Sequence, residues 1–332
     1  MTPEVALRLP PAPDAWPQRL VCVSVNAAID KIAAVDRLRP GAIHRPDLLS
    51  VVPGGKALNV ARAAATLGMT VRAIAVLGGH AGDWMEEALR ARKIATRAVR
   101  VAGESRTCLS VLDAETGILT EFYEAGLTID ADAWARVERA LAEELADDPV
   151  GSLVVLAGSL PPGTPVDAYA RLTRRATSAG ARSVIDADRA TLAEALGARP
   201  WLVKVNAHEA AAATGLAGDD EAAAVAAARA LGDRTGGVVV VTRGLEGALI
   251  RDSAGATWRI GGPPERGRFP VGSGDSLLAG LVVGLASGLD LPEATRRGAA
   301  VGAANAFVPG QGELNPADAD RMLTAISLAR ID

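Results

Sequence analysis

Val271-Gly272-Ser273-Gly274-Asp275-Ser276-Leu277-Leu278-Ala279-Gly280 is the stretch from which the fold reads outward. Small residues lead into an aspartate, and an apolar run of helical length follows at once. Gly272, Ser273 and Gly274 permit a tight turn whose N–H groups stay uncovered by side chains. Those groups become the first turn of a helix, so their orphan donors and the positive end of the dipole face any bound anion. Asp275 then stands within one residue of that anion site, an awkward place for a carboxylate unless it accepts a proton there. Two readings remain open: a phosphoryl-transfer site with Asp275 as base, or a helix start with ordinary acidic capping. The run 277–289 is broken by glycines and falls short of the ~20 residues a membrane span needs. It reads as a buried helix.

Around this helix the chain alternates strands and helices. Residues 20–25 form a continuous apolar strand of the kind a doubly covered parallel sheet buries. It ends in Asn26-Ala27-Ala28-Ile29-Asp30, where Asp30 is either a polyol acceptor at a strand's carboxyl edge or a plain turn aspartate. Gly54-Gly55-Lys56-Ala57-Leu58-Asn59 then opens an alanine-rich helix with Lys56 and Asn59 in its first turn. No glycine stands five residues before Gly55, so this is not a Walker-type loop. A strand over 70–78 and a helix over 84–92 follow.

Between 95 and 124 the pattern loses its helices. Strands at 95–101, 106–112 and 118–123 predict a small separate sheet, a lid over the active edge that 32–35 and 48–52 join. Arg106 on such a strand is either a bidentate phosphate ligand or a solvated edge charge. Regular alternation resumes with helices at 130–146, 165–179, 189–196 and 219–232. Strands at 153–156, 183–186, 201–205 and 238–241 lie between them, and a hairpin reaches about 260. Asn206 and Glu209, three apart at a helix start, make a capping box or face a nucleotide's magnesium through water. Helices 291–307 and 316–329 end the chain. The whole predicts one α/β/α domain over 20–332 with a β lid from 31–52 and 95–125. A proline-rich arm over 1–19 precedes it and reads as disordered.

Composition narrows the function. With 49% hydrophobic residues there is ample material for a core, and a net charge of −4 argues against a nucleic-acid or acidic-membrane partner. Only Cys22 and Cys108 occur, so no disulfide framework is implied and a reducing cytoplasm fits. His44, His80 and His208 lack metal-ligand spacing.

Taken together, these stretches resemble the PfkB (ribokinase-like) family of sugar kinases. Gly54-Gly55-Lys56-Ala57-Leu58-Asn59-Val60-Ala61, with Gly68 and Gly78, is similar to the family's first signature, and 271–276 with Ala279-Gly280 to its second. Gly158-Ser159-Leu160-Pro161-Pro162-Gly163, Ser105-Arg106-Thr107 and the segment 25–30 resemble the hexose-phosphate kinases of that family, the 1-phosphofructokinase and tagatose-6-phosphate kinase group. The resemblance implies a ribokinase-like three-layer α/β/α sandwich with a mostly parallel central sheet and a small β-sheet lid. It implies ATP and magnesium as cofactors, with a monovalent cation as a further candidate. The acceptor would be fructose 1-phosphate, tagatose 6-phosphate or fructose 6-phosphate.

By the same resemblance Asp275 is the base, and the amides of Gly272, Ser273, Gly274 and Asp275 hold developing charge. Asp30, Gly54, Gly55 and Asn59 would hold sugar hydroxyls, with Lys56, Arg106 and Ser159 near the substrate phosphate. Lys204, Asn206 and Glu209 would face ATP phosphates and magnesium. Thr242, Arg243, Gly244 and Gly247 would form the nucleotide loop, and Asn305 would line the adenine pocket. Ala27, Ala57, the segment 121–126 and Phe269 depart from the family pattern, and the first three touch the substrate side. The alternatives are a kinase of an unphosphorylated sugar or nucleoside and a silent binding regulator on the same fold. Exposed lid edges fit a homodimer.

Overall fold

The structure, a computed structural model, describes residues 16–187, 189–216, 218 and 220–332. In chain order the first half runs β1 (Arg19–Ser24), β2 (Ala28–Val35), β3 (Asp47–Gly54), α1 (Lys56–Thr66), β4 (Thr70–Leu77), α2 (Gly79–Ala91), β5 (Ala95–Arg100), β6 (Arg106–Asp113) and β7 (Leu119–Tyr123). Then come α3 (Ala131–Leu145), β8 (Ser152–Ala157), α4 (Ala168–Ala179), β9 (Arg182–Asp186), α5 (Arg189–Leu196), β10 (Leu202–Asn206), α6 (Ala207–Thr214) and α7 (Glu221–Thr235). The remainder is β11 (Val238–Thr242), β12 (Ala248–Arg251), β13 (Thr257–Ile260), α8 (Ser273–Ala286), α9 (Leu291–Asn305), α10 (Pro316–Leu323) and β14 (Leu328–Arg330).

A ten-stranded sheet has the order β14-β13-β12-β11-β10-β9-β8-β1-β4-β5. It is parallel from β11 to β5 and antiparallel at the β12–β14 edge. Strand pleating sends Leu20 and Cys22 into one core and Val21 and Val23 into the other, so helices cover both faces. Strand order reverses at β1, which has β4 on one side and β8 on the other, and ligands of such sheets bind at that switch point. A second sheet, β3-β2-β6-β7, stands apart from the first. The architecture is the ribokinase-like one, with a mostly parallel sheet and a small separate one.

Four expectations need correction. Residues 95–100 belong to the main sheet, not the small one, because α2 is a crossover that returns the chain beside β4. The small sheet instead begins at Ala28 and reaches Gly54. The helix expected over 316–329 stops at Leu323, and 328–330 pairs with β13 as an edge strand. The arm's first fifteen residues lie outside the described ones, but Trp16 packs edge-on against Trp201 with Arg182 stacked over both rings.

Helices α8 and α9 approach closely because glycines face each other's backbones. A Cβ on Gly298 would lie 2.5 Å from Leu277 O, and one on Gly302 would lie 2.7 Å from Ser273 O. Since Ser273 begins α8, this contact also sets where the anion turn sits. Gly298→Ala is expected to cost ~1–3 kcal/mol by overpacking, read as a lowered urea midpoint at unchanged m-value.

Candidate active site

The carboxyl ends of β1, β8, β9, β10 and β11 deliver their polar residues to one edge, where a cavity of 770 Å³ opens between that edge, α8 and the small sheet. Its chemistry begins at the turn into α8. Gly272 has φ 86°, a left-handed conformation, and its missing Cβ leaves room for Gln311 Cα, which would otherwise be 2.7 Å away. The N–H of Ser273 donates to Pro270 O at 3.1 Å and that of Ser276 to Gly272 O at 2.9 Å. Ser273's amide is therefore spent, contrary to expectation. Among the described residues the amides of Gly274 and Asp275 have no acceptor and point their dipoles at the cavity. Lys204 Nζ presses against this turn so closely that a Cβ on Gly274 would lie 2.7 Å from it.

Asp275 is buried at this turn and accepts a hydrogen bond from Asn59 Nδ2 at 2.8 Å. Burial and the neighbouring Asp186 push its carboxyl up to about 6, against the pull of Lys204 and Lys56. Asp186 is fully buried and accepts from Lys204 Nζ at 2.6 Å and from Lys56 Nζ at 2.8 Å. Burial raises its carboxyl too, but the two lysines outweigh that and bring it to about 2. Lys56 is held strongly protonated by Asp186, and its ammonium also lies 3.5 Å from Glu209. Both lysines line the cavity, fixed by a carboxylate behind them.

On the small-sheet side Asp30 accepts from the Gly55 N–H at 3.2 Å, and burial pushes its carboxyl up to about 6. Gly54 does not line the cavity. Its role is closeness, since a Cβ there would overlap Asp30 Oδ2 at 1.9 Å. Sheet register sets Asp30 beside Cys108 and Cys108 beside Tyr123, and all three face the cavity. Two residues earlier on β6, Arg106 donates to Glu124 O at 3.3 Å and Asn26 O at 3.2 Å. Its buried Nε has no partner, and neither has Asn26 Oδ1. Asn26 Nδ2 meanwhile donates to Ser159 Oγ at 3.0 Å. Arg106 Nε is thus an unspent donor in the corner it shares with Asn26 and Ser159, and Asn26 Oδ1 an unspent acceptor.

The other end is lined by Thr242, Gly244, Leu245 and Gly247 and by the small residues Gly302 and Ala303 of α9. Asn206 and Glu209 form the reciprocal capping box and also line the cavity. Each has one oxygen taken by the other's backbone N–H at 2.8 Å. Among the described residues no cluster of three or more His, Cys, Asp or Glu could hold a metal directly. The pair fits a metal held through water, and no more. Asn305 does not reach the cavity. It is fully buried and accepts from Ser276 Oγ at 2.7 Å and the Gly312 N–H at 3.0 Å. Residues 299, 302, 303 and 306 form the cavity-facing stripe of α9 at helical spacing, and 305 falls off it.

Sequence reasoning missed Asp186 and Gln311, and it noted Asn26 only as a polar side chain past the carboxyl edge of β1. Asp186 ends a buried strand, which is a signal only in a fold whose strand ends face the site. Glu121 and Tyr123 line the cavity from β7, joined by a hydrogen bond from the phenol to the carboxylate.

The profile of the "pfkB family carbohydrate kinase" group matches residues 18–318. A 1-phosphofructokinase of Xanthomonas campestris pv. campestris is 40% identical over 273 residues, covering 80% of this chain and 83% of that one. An ATP-dependent 6-phosphofructokinase isozyme 2 of Mycobacterium tuberculosis is 30% identical, covering 93% and 91%. Phosphofructokinase-2 of Escherichia coli, solved in complex with potassium, superposes with a TM-score of 0.82 at 26% identity, over 92% of this chain and 98% of that one. The same enzyme has been solved in a tetrameric inhibited form.

Because Asp275 holds its proton more tightly folded than unfolded, its charge opposes folding above pH 6, and the opposition fades as pH falls towards ~4. Asp275→Asn is therefore expected to stabilise the ligand-free protein at pH 8 by on the order of 3 kcal/mol. The gain should shrink between pH 6 and 4 in a series of thermal melts. Equal melts at every pH would show that the buried charge carries no such strain.

Proposed function

The chain belongs to the pfkB family of carbohydrate kinases and is an ATP-dependent hexose-phosphate kinase, and we propose that its acceptor is fructose 1-phosphate, with Asp275 as the base. The observation that carries this reading is one cavity lined by the α8 turn with Asp275 and Lys204 and also by Arg106, Asn26 and Ser159. The α8 turn with Lys204 suits the nucleotide's phosphates. The Arg106–Asn26–Ser159 corner has no use unless the acceptor is phosphorylated as well. The choice among hexose phosphates is supported by the 1-phosphofructokinase of Xanthomonas campestris, the 40% relative.

In this reading Asp30 and Asn59 hold sugar hydroxyls and Arg106 fixes the sugar phosphate, leaving one hydroxyl at Asp275. That hydroxyl oxygen forms a bond to the γ-phosphorus as the bond from phosphorus to the ADP oxygen breaks in line, and its proton passes to Asp275. Charge on the transferring group is met by the Gly274 and Asp275 amides and by Lys204, which is already in place and needs no reorganisation. Magnesium arriving with the nucleotide would neutralise phosphate charge, and Asn206 and Glu209 would hold it through water. The adenine would lie on Gly302 and Ala303, where the absence of large side chains leaves a slot against Leu245.

A monovalent cation enters this reading through the likeness to the potassium-bound phosphofructokinase-2. Pairing of two copies through the small sheet is supported by Leu48, Ile118 and Phe122, apolar side chains that stand more than half exposed on it. We place the enzyme in the cytoplasm, where ATP and sugar phosphates are made and Cys22 and Cys108 stay reduced. Among the described residues no helix is long and apolar enough to cross a membrane.

Asp275→Asn should lower kcat by ~10²–10⁴-fold with ATP binding retained. In the parent enzyme kcat/KM should fall as pH drops through about 6, where Asp275 takes up its proton. Near-normal turnover of the variant sinks the base assignment. A coupled ADP-release assay across fructose 1-phosphate, fructose 6-phosphate, tagatose 6-phosphate, fructose and ribose tests the substrate. Fructose 1-phosphate is expected to give the highest kcat/KM, and Arg106→Ala to raise its KM by at least ~10-fold while the KM for ATP stays put. Unphosphorylated fructose as the preferred acceptor would overturn the reading.

A further inference from the structure

Arg62 lies on α1 one turn beyond Asn59, fully buried, with nothing in the mechanism above requiring it. Its guanidinium touches four acceptors. Nε donates to Pro53 O at 2.8 Å, just before the Gly54-Gly55 turn that packs on Asp30. One terminal nitrogen donates to Glu313, which Arg92 also grips at 2.9 Å. The other donates to Asn59 Oδ1 at 2.9 Å and to Gln311 O. Gln311 in turn backs the anion turn, where its Cα fills the place of a Gly272 Cβ, and Gly312 lies against the Asn59 backbone. One cation therefore ties together the sugar loop, the first turns of α1 and the loop behind the phosphate turn.

Burying a guanidinium is costly, and a leucine would fill the same helix position without that cost. What the leucine would not supply is direction. Asn59 carries a two-way amide, and an arginine only donates. Arg62 against Asn59 Oδ1 leaves the NH2 group no place but towards Asp275 Oδ2, where it is found at 2.8 Å. The reversed amide would set oxygen against carboxylate and NH2 against guanidinium, both repulsive. With Oδ2 so engaged, the other carboxylate oxygen is the one left for an incoming hydroxyl.

We propose that Arg62 is a positioning residue for phosphoryl transfer, acting through Asn59 to aim the Asp275 carboxylate at the acceptor hydroxyl. The proposal rests on Asp275 being the base. It makes Asn59 a two-sided device, whose amide orients the base while its cavity face meets the sugar.

The test is a double-mutant cycle of Arg62→Lys and Asn59→Ala on the full-length enzyme, with saturating ATP and the best acceptor from the sugar panel. Lysine keeps the charge but not the fork. Arg62→Lys alone is expected to lower kcat by ~10–10²-fold, the scale of an ångström's misplacement, with the KM for ATP within about twofold. In the Asn59→Ala background the same change should lower kcat by less than about threefold, because the amide it orients is gone. Multiplicative effects, an unchanged kcat in Arg62→Lys, or a matching rise in the KM for ATP would each overturn the proposal. If Arg62→Lys does not fold, Glu313→Gln takes its place. It loosens the guanidinium from a partly exposed position, and its kcat loss should likewise vanish beside Asn59→Ala and overturns the proposal if it does not. Asp275→Asn in the same assay separates the two readings. Turnover retained there sinks the base itself, whereas turnover lost there with a multiplicative cycle sinks Arg62 alone.

Discussion

Asp186 and Asp275 are two carboxylates buried close enough for Asp275 to feel Asp186, with Lys56 and Lys204 as the main positive charges beside both. Water would screen such a pair, but here the protein must supply the compensation. It does so unequally. Asp186 takes direct hydrogen bonds from both lysines and titrates at about 2, while Asp275 is left with an amide and a helix terminus and titrates at about 6. Environments that drive two acids apart in this way assign their roles. Asp186 is a fixed anion that holds two cations, and the proposed reading gives those cations to phosphate and makes Asp275 the group that takes a proton.

Most of the fold can be read as what that arrangement requires. Asp186 and Lys204 come from the ends of neighbouring parallel strands, β9 and β10, so their pairing is set by the sheet rather than by long flexible reach. Lys56 begins a helix, and Asp275 stands in the first turn of another. Their positions are fixed by how those helices lie on the sheet, through the glycine contacts of α8 with α9 and the wedge of Gln311 and Gly312. Close packing of backbone on backbone leaves little slack, which suits a site where direction matters more than base strength.

What the sequence made legible was whatever acts within one turn of chain. The glycines and aspartate of 271–276 announce a helix start, and Asn206 with Glu209 announces a capping box, and both are present. Roles that depend on partners far along the chain were hidden. Asp186 is unremarked until Lys56, 130 residues earlier, is seen against it. The family resemblance puts Asn305 in the adenine pocket, but the face of a helix that meets a ligand is decided by packing, and Asn305 points to the loop behind. Residues 95–100 read as lid because two strand-like runs follow them, whereas the preceding helix α2 makes them a parallel edge strand. The Ser273 amide was counted as free, and only the path of Pro270 shows it is spent.

The same distinction separates chemistry from choice. In the proposed reading the groups that move a phosphoryl are those held on the ten-stranded sheet and its helices, where each is locked by a neighbour. The groups that face the sugar come largely from alternate positions of the small sheet, in rows set by register: Asp30, Cys108 and Tyr123 abreast, with Ser110 and Glu121 one row on and Arg106 one row back. Period-two alternation means that these side chains share a face but not a hydrogen-bonding duty in the strands, whose backbones pair whatever they carry. Positions 121 and 123 can therefore change identity without disturbing the sheet or the charge pair beneath it. A carboxylate at 121 gives that end of the row an acidic character and Arg106 gives the other a basic one. In the proposed reading a sugar phosphate lying along the row would meet a polarity that orients it before any contact with Asp275. On that reading, selection of the acceptor would be a property of a replaceable surface laid over a charge arrangement whose members lock one another in place.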